Sequence, residues 1–136
     1  MGAIALMRQT YLDANWYKSQ SKEFNMSLSE FNKTQNLPQV FEVSSWQDVL
    51  RADKLGDEFN TQYLFKSGGD EYQRIAAIKA TKGKFIIPLN FPKAYDVEDP
   101  ADARSVSYAQ MKHWELAPTN PAVMQNAGIE FAITSA

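Results

Sequence analysis

Three short apolar runs begin near residues 39, 62 and 84, a spacing of 22 or 23 residues. They are Gln39-Val40-Phe41-Glu42-Val43, Gln62-Tyr63-Leu64-Phe65 and Lys84-Phe85-Ile86-Ile87. β-branched and aromatic residues suit strands. Ser45-x-x-Asp48 opens the first intervening segment, with Val49, Ala52, Leu55 and Phe59 along one helical side. Lys66-Ser67-Gly68-Gly69 closes the second strand, and Asp70 is read as the N-cap of a helix through Ala80. Strands alternating with helices of this length demand βαβ crossovers and a parallel sheet. The fold class is therefore α/β. The near-continuous apolar runs predict a sheet buried on both faces.

Outside this unit the pattern is looser. Ile4, Met7, Tyr11, Ala14 and Tyr17 recur at helical steps, predicting an amphipathic helix from Ala3 to about Lys18. Ser27-Leu28-Ser29-Glu30 has the form of a capping box for a short helix through Thr34, stopped before Pro38. Residues 90–106 carry Pro92, Pro100 and several charges, and read as a long loop. Ser107-x-x-Gln110 predicts a helix through about Leu116. Asn120-Pro121 reads as an N-cap and N1 pair, with Gly128 as C′ of a helix over 121–127. Ile129 to Thr134 is the fourth strand. The expected organisation is one domain, residues 1–136, with about four parallel strands and flanking helices.

Composition excludes several functions. The 136 residues include 14 basic and 16 acidic side chains, a formal net charge of −2. A general nucleic-acid or anionic-membrane binder needs a basic surplus, so neither partner is expected. No run approaches the ~18 apolar residues of a membrane span. There is no cysteine and a single histidine, His113, so thiolate chemistry and multi-histidine metal centres are not available to this chain. The opening Met1-Gly2-Ala3-Ile4-Ala5-Leu6-Met7-Arg8 lacks a basic n-region and breaks at Arg8, unlike a signal peptide. It starts inside a predicted helix, so the natural start is expected upstream and the compartment stays open.

Sites in parallel sheets form at the carboxyl ends of strands. Here those ends are Glu42 to Ser45, Lys66 to Gly69, Leu89-Asn90 and Thr134 to Ala136. The candidate pocket is Glu42, Lys66, Ser67, Asn90 and Ser135. Glu42 has the chemistry of a metal ligand or general base, set against a solvent-facing or ion-paired strand end. Lys66 suits an oxyanion, a Schiff base or simple pairing with Glu42. Ser67-Gly68-Gly69 allows close backbone approach to an anion, but is neither a Walker loop nor a dinucleotide fingerprint. His113, within Met111-Lys112-His113-Trp114-Glu115, sits inside a helix, where packing or surface roles prevail. Asp96-Val97-Glu98-Asp99 lacks the ligand offsets of an EF-hand and reads as solvated loop.

Pro38-Gln39-Val40-Phe41-Glu42-Val43, followed by Asp48-Val49-Leu50-Arg51-Ala52, resembles the fifth strand and helix of the amidohydrolase superfamily, in its imidazolonepropionase-like branch. Ala117-Pro118-Thr119-Asn120-Pro121-Ala122, then Ala127-Gly128-Ile129 and Phe131-Ala132-Ile133-Thr134, is similar to the approach to that branch's eighth strand. The opening helix, with Ala5-Leu6-Met7-Arg8-Gln9, is similar to the helix before the fifth strand. The resemblance implies the second half of a (β/α)8 barrel, since 136 residues is far short of the ~250 of a whole one. It also implies hydrolysis of amide or cyclic amide C–N bonds by a metal-activated water, with zinc or another divalent metal in the full-length protein. The family's histidine positions on the fifth and sixth strands fall on Glu42 and Ser67, and its eighth-strand aspartate on Ala136. The first-strand His-x-His pair would lie upstream of Met1. The resemblance thus implies a degenerate copy, with no cofactor bound by this chain.

Three functions follow as expectations. One is a non-catalytic barrel part. Another is a metal-dependent hydrolase in its full-length form, using Glu42. The third is a small-ligand or anion-binding domain built on Ser67-Gly68-Gly69. Four parallel strands cannot close, so self-association or the missing barrel half is the expected partner.

Overall fold

The computed structural model describes residues 2–19 and 23–135 and is α/β. Four strands, β1 (Gln39–Glu42), β2 (Tyr63–Lys66), β3 (Lys84–Pro88) and β4 (Phe131–Thr134), form one sheet in the order β1-β2-β3-β4. All three pairings are parallel, with Glu42 opposite Lys66, Lys66 opposite Ile86 and Ile86 opposite Ala132. The helices are α1 (Ala3–Ser19), α2 (Met26–Thr34), α3 (Trp46–Phe59), α4 (Ile75–Ala80), α5 (Pro100–Ser105), α6 (Tyr108–Leu116) and α7 (Asn120–Asn126). No described helix is long and apolar enough to cross a membrane.

The predicted helical side of α1 faces inward, with Tyr11 and Ala14 buried. Tyr11 stacks on Phe59 at 4.7 Å and donates its hydroxyl hydrogen to Gln39 Oε1 at 2.7 Å. Helix α3 starts as its sequence dictates. Ser45 Oγ accepts from the Asp48 amide, and Val49, Ala52 and Leu55 are buried. It ends at Asn60, a left-handed residue with φ 54°. The Ser107–Gln110 box forms in full and opens α6. After α7, Gly128 adopts φ 72°, and the amides of Gly128 and Ile129 close back on Gln125 and Met124. This is the left-handed helix stop that glycine makes without a Cβ penalty.

Several local expectations are corrected. Asn25, not Ser27, caps α2, accepting from the Leu28 amide at 3.1 Å. Ser27 lies inside the helix. Asp70 does not cap its own helix. Its Oδ1 accepts from the Trp46 amide at 2.8 Å, capping the neighbouring α3 instead. The expected helix from Asp70 to Ala80 divides into a 3-10 turn, Glu71–Arg74, and α4. The 90–106 loop is interrupted by α5, for which Asp99 is the N-cap and Pro100 the first residue. Asn120 is inside α7, and its side chain is used elsewhere.

Burial on both sheet faces is also corrected. Side chains alternate across a strand. Tyr63, Phe65, Phe85 and Ile87 share one face and pack with Val49 and Ala52 of α3, Ile78 of α4 and Met124 of α7. The opposite face carries Val40, Leu64, Ile86 and Ala132, and none of these four joins the core. The continuous apolar runs thus record one packed face and one face whose central apolar row no described helix covers.

Candidate functional site

The carboxyl ends of β1, β2 and β3 and Thr134 at the end of β4 surround a cleft of about 380 Å³. Glu42, Lys66, Ser67 and Asn90 line it, as the position of strand ends in a parallel sheet requires. Ser135 is exposed and does not line it. Ala136 lies outside the described residues.

Register explains the central contact. Glu42 and Lys66 are directly opposite on neighbouring parallel strands, so their side chains leave the sheet on the same side. Lys66 Nζ lies 3.1 Å from Glu42 Oε1. Both are solvated, so the pair contributes at most about 1 kcal/mol to stability. Its chemical effect is to occupy the carboxylate of Glu42, the one carboxylate among the described residues that line the cleft.

Ser67 points to the opposite side, under the helices. It is 6% exposed, and its Oγ is buried without a hydrogen-bond partner among the described residues. The neighbouring Gly68 runs tight against the segment that follows β1. A Cβ there would collide with the Ser44 carbonyl oxygen, so the glycine sets the close approach of the two strand ends. Gly69 adopts φ 90°, a second position where this turn needs glycine.

A buried polar cluster beside this turn was not anticipated from the sequence. Glu71 is completely buried, and its Oε2 accepts from Asn120 Nδ2 at 2.6 Å. Asn120 Oδ1 in turn accepts from the Tyr72 amide at 2.9 Å. Glu71 Oε1 has no hydrogen-bond partner among the described residues. Tyr72 reaches on to α6, where its hydroxyl and His113 Nδ1 are 2.9 Å apart and the rings stack. His113 therefore packs on a helix, as expected of it, away from the strand ends. The cluster ties the turn after β2 to the helices before β4. The sequence offered only Asn120-Pro121, which has the form of a helix start whether or not its amide bonds a distant carboxylate.

Asp70 carries the clearest electrostatic signature. Its carboxyl is pushed up to about 6, chiefly by burial and then by the charge of neighbouring Glu71. A raised carboxyl pKa means that the folded chain binds the proton more tightly than the unfolded one. The stability linked to Asp70 is then fully present below about pH 4 and lost as pH rises through 6. Asp70→Asn keeps an acceptor for the Trp46 amide and removes the titration. Relative to the parent, the variant should gain on the order of 1 kcal/mol between pH 4 and pH 7.5, after allowance for partial solvent screening. Urea unfolding at both pH values checks this. An equal difference between the two proteins at both pH values would refute it.

Among the described residues, no group of three or more Asp, Glu or His side chains could hold a metal ion. The ends of β1 and β2 carry an ion-paired glutamate and a buried hydroxyl. Comparison with protein-family models, curated proteins and solved structures finds no match.

Proposed function

We propose that this chain is a non-catalytic part of an amidohydrolase-like (β/α) barrel, acting as a structural or interaction module. The Glu42–Lys66 contact carries the reading. It puts a cation against the carboxylate that the resemblance to the amidohydrolase superfamily would assign to the fifth-strand ligand position. A metal-activated water needs an open coordination position and several anionic or imidazole donors around it. The cleft supplies a paired glutamate, a serine and an asparagine. The strand order supports the barrel part of the reading. Four parallel strands follow one another in chain order, with the packed helices on one face, as in a segment of a (β/α)8 barrel.

The test is zinc and manganese binding by calorimetry, together with assays for hydrolysis of linear and cyclic amides. No stoichiometric metal and no turnover are expected, and Glu42→Ala should change neither result. One tightly held divalent ion, or turnover lost in Glu42→Ala, would overturn the reading.

A second reading has a specific observation behind it. Lys66 and Gly68, an ammonium and a turn backbone open to close approach, line the same cleft and support a small-anion site there. Calorimetric titration with inorganic phosphate distinguishes it. Millimolar or tighter binding, weakened in Lys66→Ala, would favour this function over a purely structural one.

A further inference from the structure

We infer that two copies of this chain close an eight-stranded parallel barrel, the open edge of β4 in one copy pairing with the open edge of β1 in the other. The inference rests on the barrel reading above and names the partner of that barrel part.

The edges match. β1 and β4 are the two ends of the sheet and run in the same direction. A two-fold axis along the strands preserves that direction. It brings β4 of each copy beside β1 of the other and leaves no edge open. The backbone groups are available. The Val43 amide donates to the Lys66 carbonyl, so by alternation the N–H groups of Val40 and Glu42 point off the sheet. On β4, the carbonyls of Glu130 and Thr134 accept from the β3 side, so the backbone groups of Phe131 and Ile133 point off the other edge.

The uncovered face matches the interior that such a barrel needs. An eight-stranded barrel is filled by layers of four side chains drawn from alternate strands. Val40 on β1 and Ile86 on β3 supply two, and a second copy completes four. Leu64 on β2 and Ala132 on β4 supply the next layer in the same way. The register agrees with the tilt. Val40 is opposite Leu64, and Leu64 is opposite Lys84, so Ile86 lies two residues beyond the position level with Val40. A shear of eight over eight strands shifts the level by one residue per strand, hence by two over two strands. Ala132 stands in the same relation to Leu64. The ion pairs Glu42–Lys66 and Lys84–Glu130 then fall at opposite ends of the barrel, where water remains.

The helix layer has a matching gap. Ile133 is on the helix-packed face yet 55% exposed, so no helix of its own copy covers it. Helix α1 precedes β1 and leaves Leu6, Leu12 and Trp16 exposed. Closure sets the partner's α1 beside β4, where these groups meet.

Sedimentation equilibrium at about 50 μM tests the inference. The chain should run at about 31 kDa, twice its 15.4 kDa. Val40→Pro removes an N–H that points off an edge strand, where proline is tolerated, and blocks the new ladder. Ala132→Lys puts a charge into the closed interior from an exposed position. Both variants should sediment at 15.4 kDa with unchanged far-UV circular dichroism. Should Val40→Pro unfold, Ile133→Lys on the other edge takes its place. A parent that sediments as a monomer, or at any mass other than the dimer's, overturns the inference. So does a dimer that survives either variant, because edge pairing and interior closure must fail together. A monomeric parent leaves the proposed function standing, since that reading fails instead on bound metal or turnover.

Discussion

Replacing Phe65 with alanine should lower the unfolding free energy by about 4 kcal/mol, within the range for deleting a buried aromatic ring. Phe65 is at the centre of the sheet on its packed face and has no exposed surface. Its ring meets Phe85 on neighbouring β3 at 5.4 Å and Tyr63 on its own strand at 6.2 Å, so truncation removes contacts both along and across the sheet. Gly83 adds to the cost. A Cβ there would lie 2.7 Å from the Phe65 ring, which shows how closely the backbone packs against it. The backbone of β2 and β3 is held by its ladder, so the cavity has little freedom to collapse. The expected fall in Tm is on the order of 15 °C. Phe65→Leu should cost less than half as much. Thermal and urea unfolding of the three proteins decide the matter, and a loss below about 2 kcal/mol in Phe65→Ala would show a core that repacks.

Asn120→Ala should cost about 3 kcal/mol, although it deletes only a short polar side chain. The amide is 1% exposed and serves two partners at once. Its removal leaves the buried Glu71 Oε2 and the part-buried Tyr72 N–H unpaired, and a fully buried group of this kind costs about 1–3 kcal/mol. Glu71 already has one oxygen without a partner, so the carboxyl would lose its remaining hydrogen bond among those described. Asn120→Asp separates the two roles. It retains an acceptor for Tyr72 but sets a second carboxyl against Glu71. Its defect should therefore be large at pH 7 and shrink as the pH falls. Denaturant unfolding of both variants at pH 7 and pH 4.5 tests this. A loss under 1 kcal/mol in Asn120→Ala would mean that water replaces the amide.

The elements that sequence reading placed correctly are those whose causes are local. The Ser45 and Ser107 caps form within four residues of chain, and both are present. The alternation of β1, β2 and β3 with helices is written in the apolar period, and the parallel sheet follows from it. The misread residues have the same local form but bond elsewhere. Asp70 follows a strand and precedes a helix, as a cap should, yet its carboxylate serves Trp46, 24 residues earlier. Asn120 precedes proline, yet its amide serves Glu71, 49 residues earlier. Helix α5 had a legible start in Asp99-Pro100, obscured by the charge and proline content around it.

The candidate cleft divides in the same way. Strand polarity alone brings Glu42, Lys66, Ser67 and Asn90 to one end of the sheet. Ser135 lies one residue past β4 and does not line the cleft. The orphaned Ser67 hydroxyl and the buried Glu71 depend on which helices cover the turn after β2.

By itself, the sequence determined the α/β class, the order of the elements, the parallel direction of the strands and the end of the sheet where a site would form. These follow from periodicity, caps and chain direction, which act over a few residues. Only the tertiary structure decided which face of the sheet the helices cover, which carboxylates are paired and which polar groups are buried together. An apolar run of alternating side chains has two faces with similar composition. The choice between them belongs to the docking of helices that lie far away in the chain, and with it goes the uncovered row of Val40, Leu64, Ile86 and Ala132.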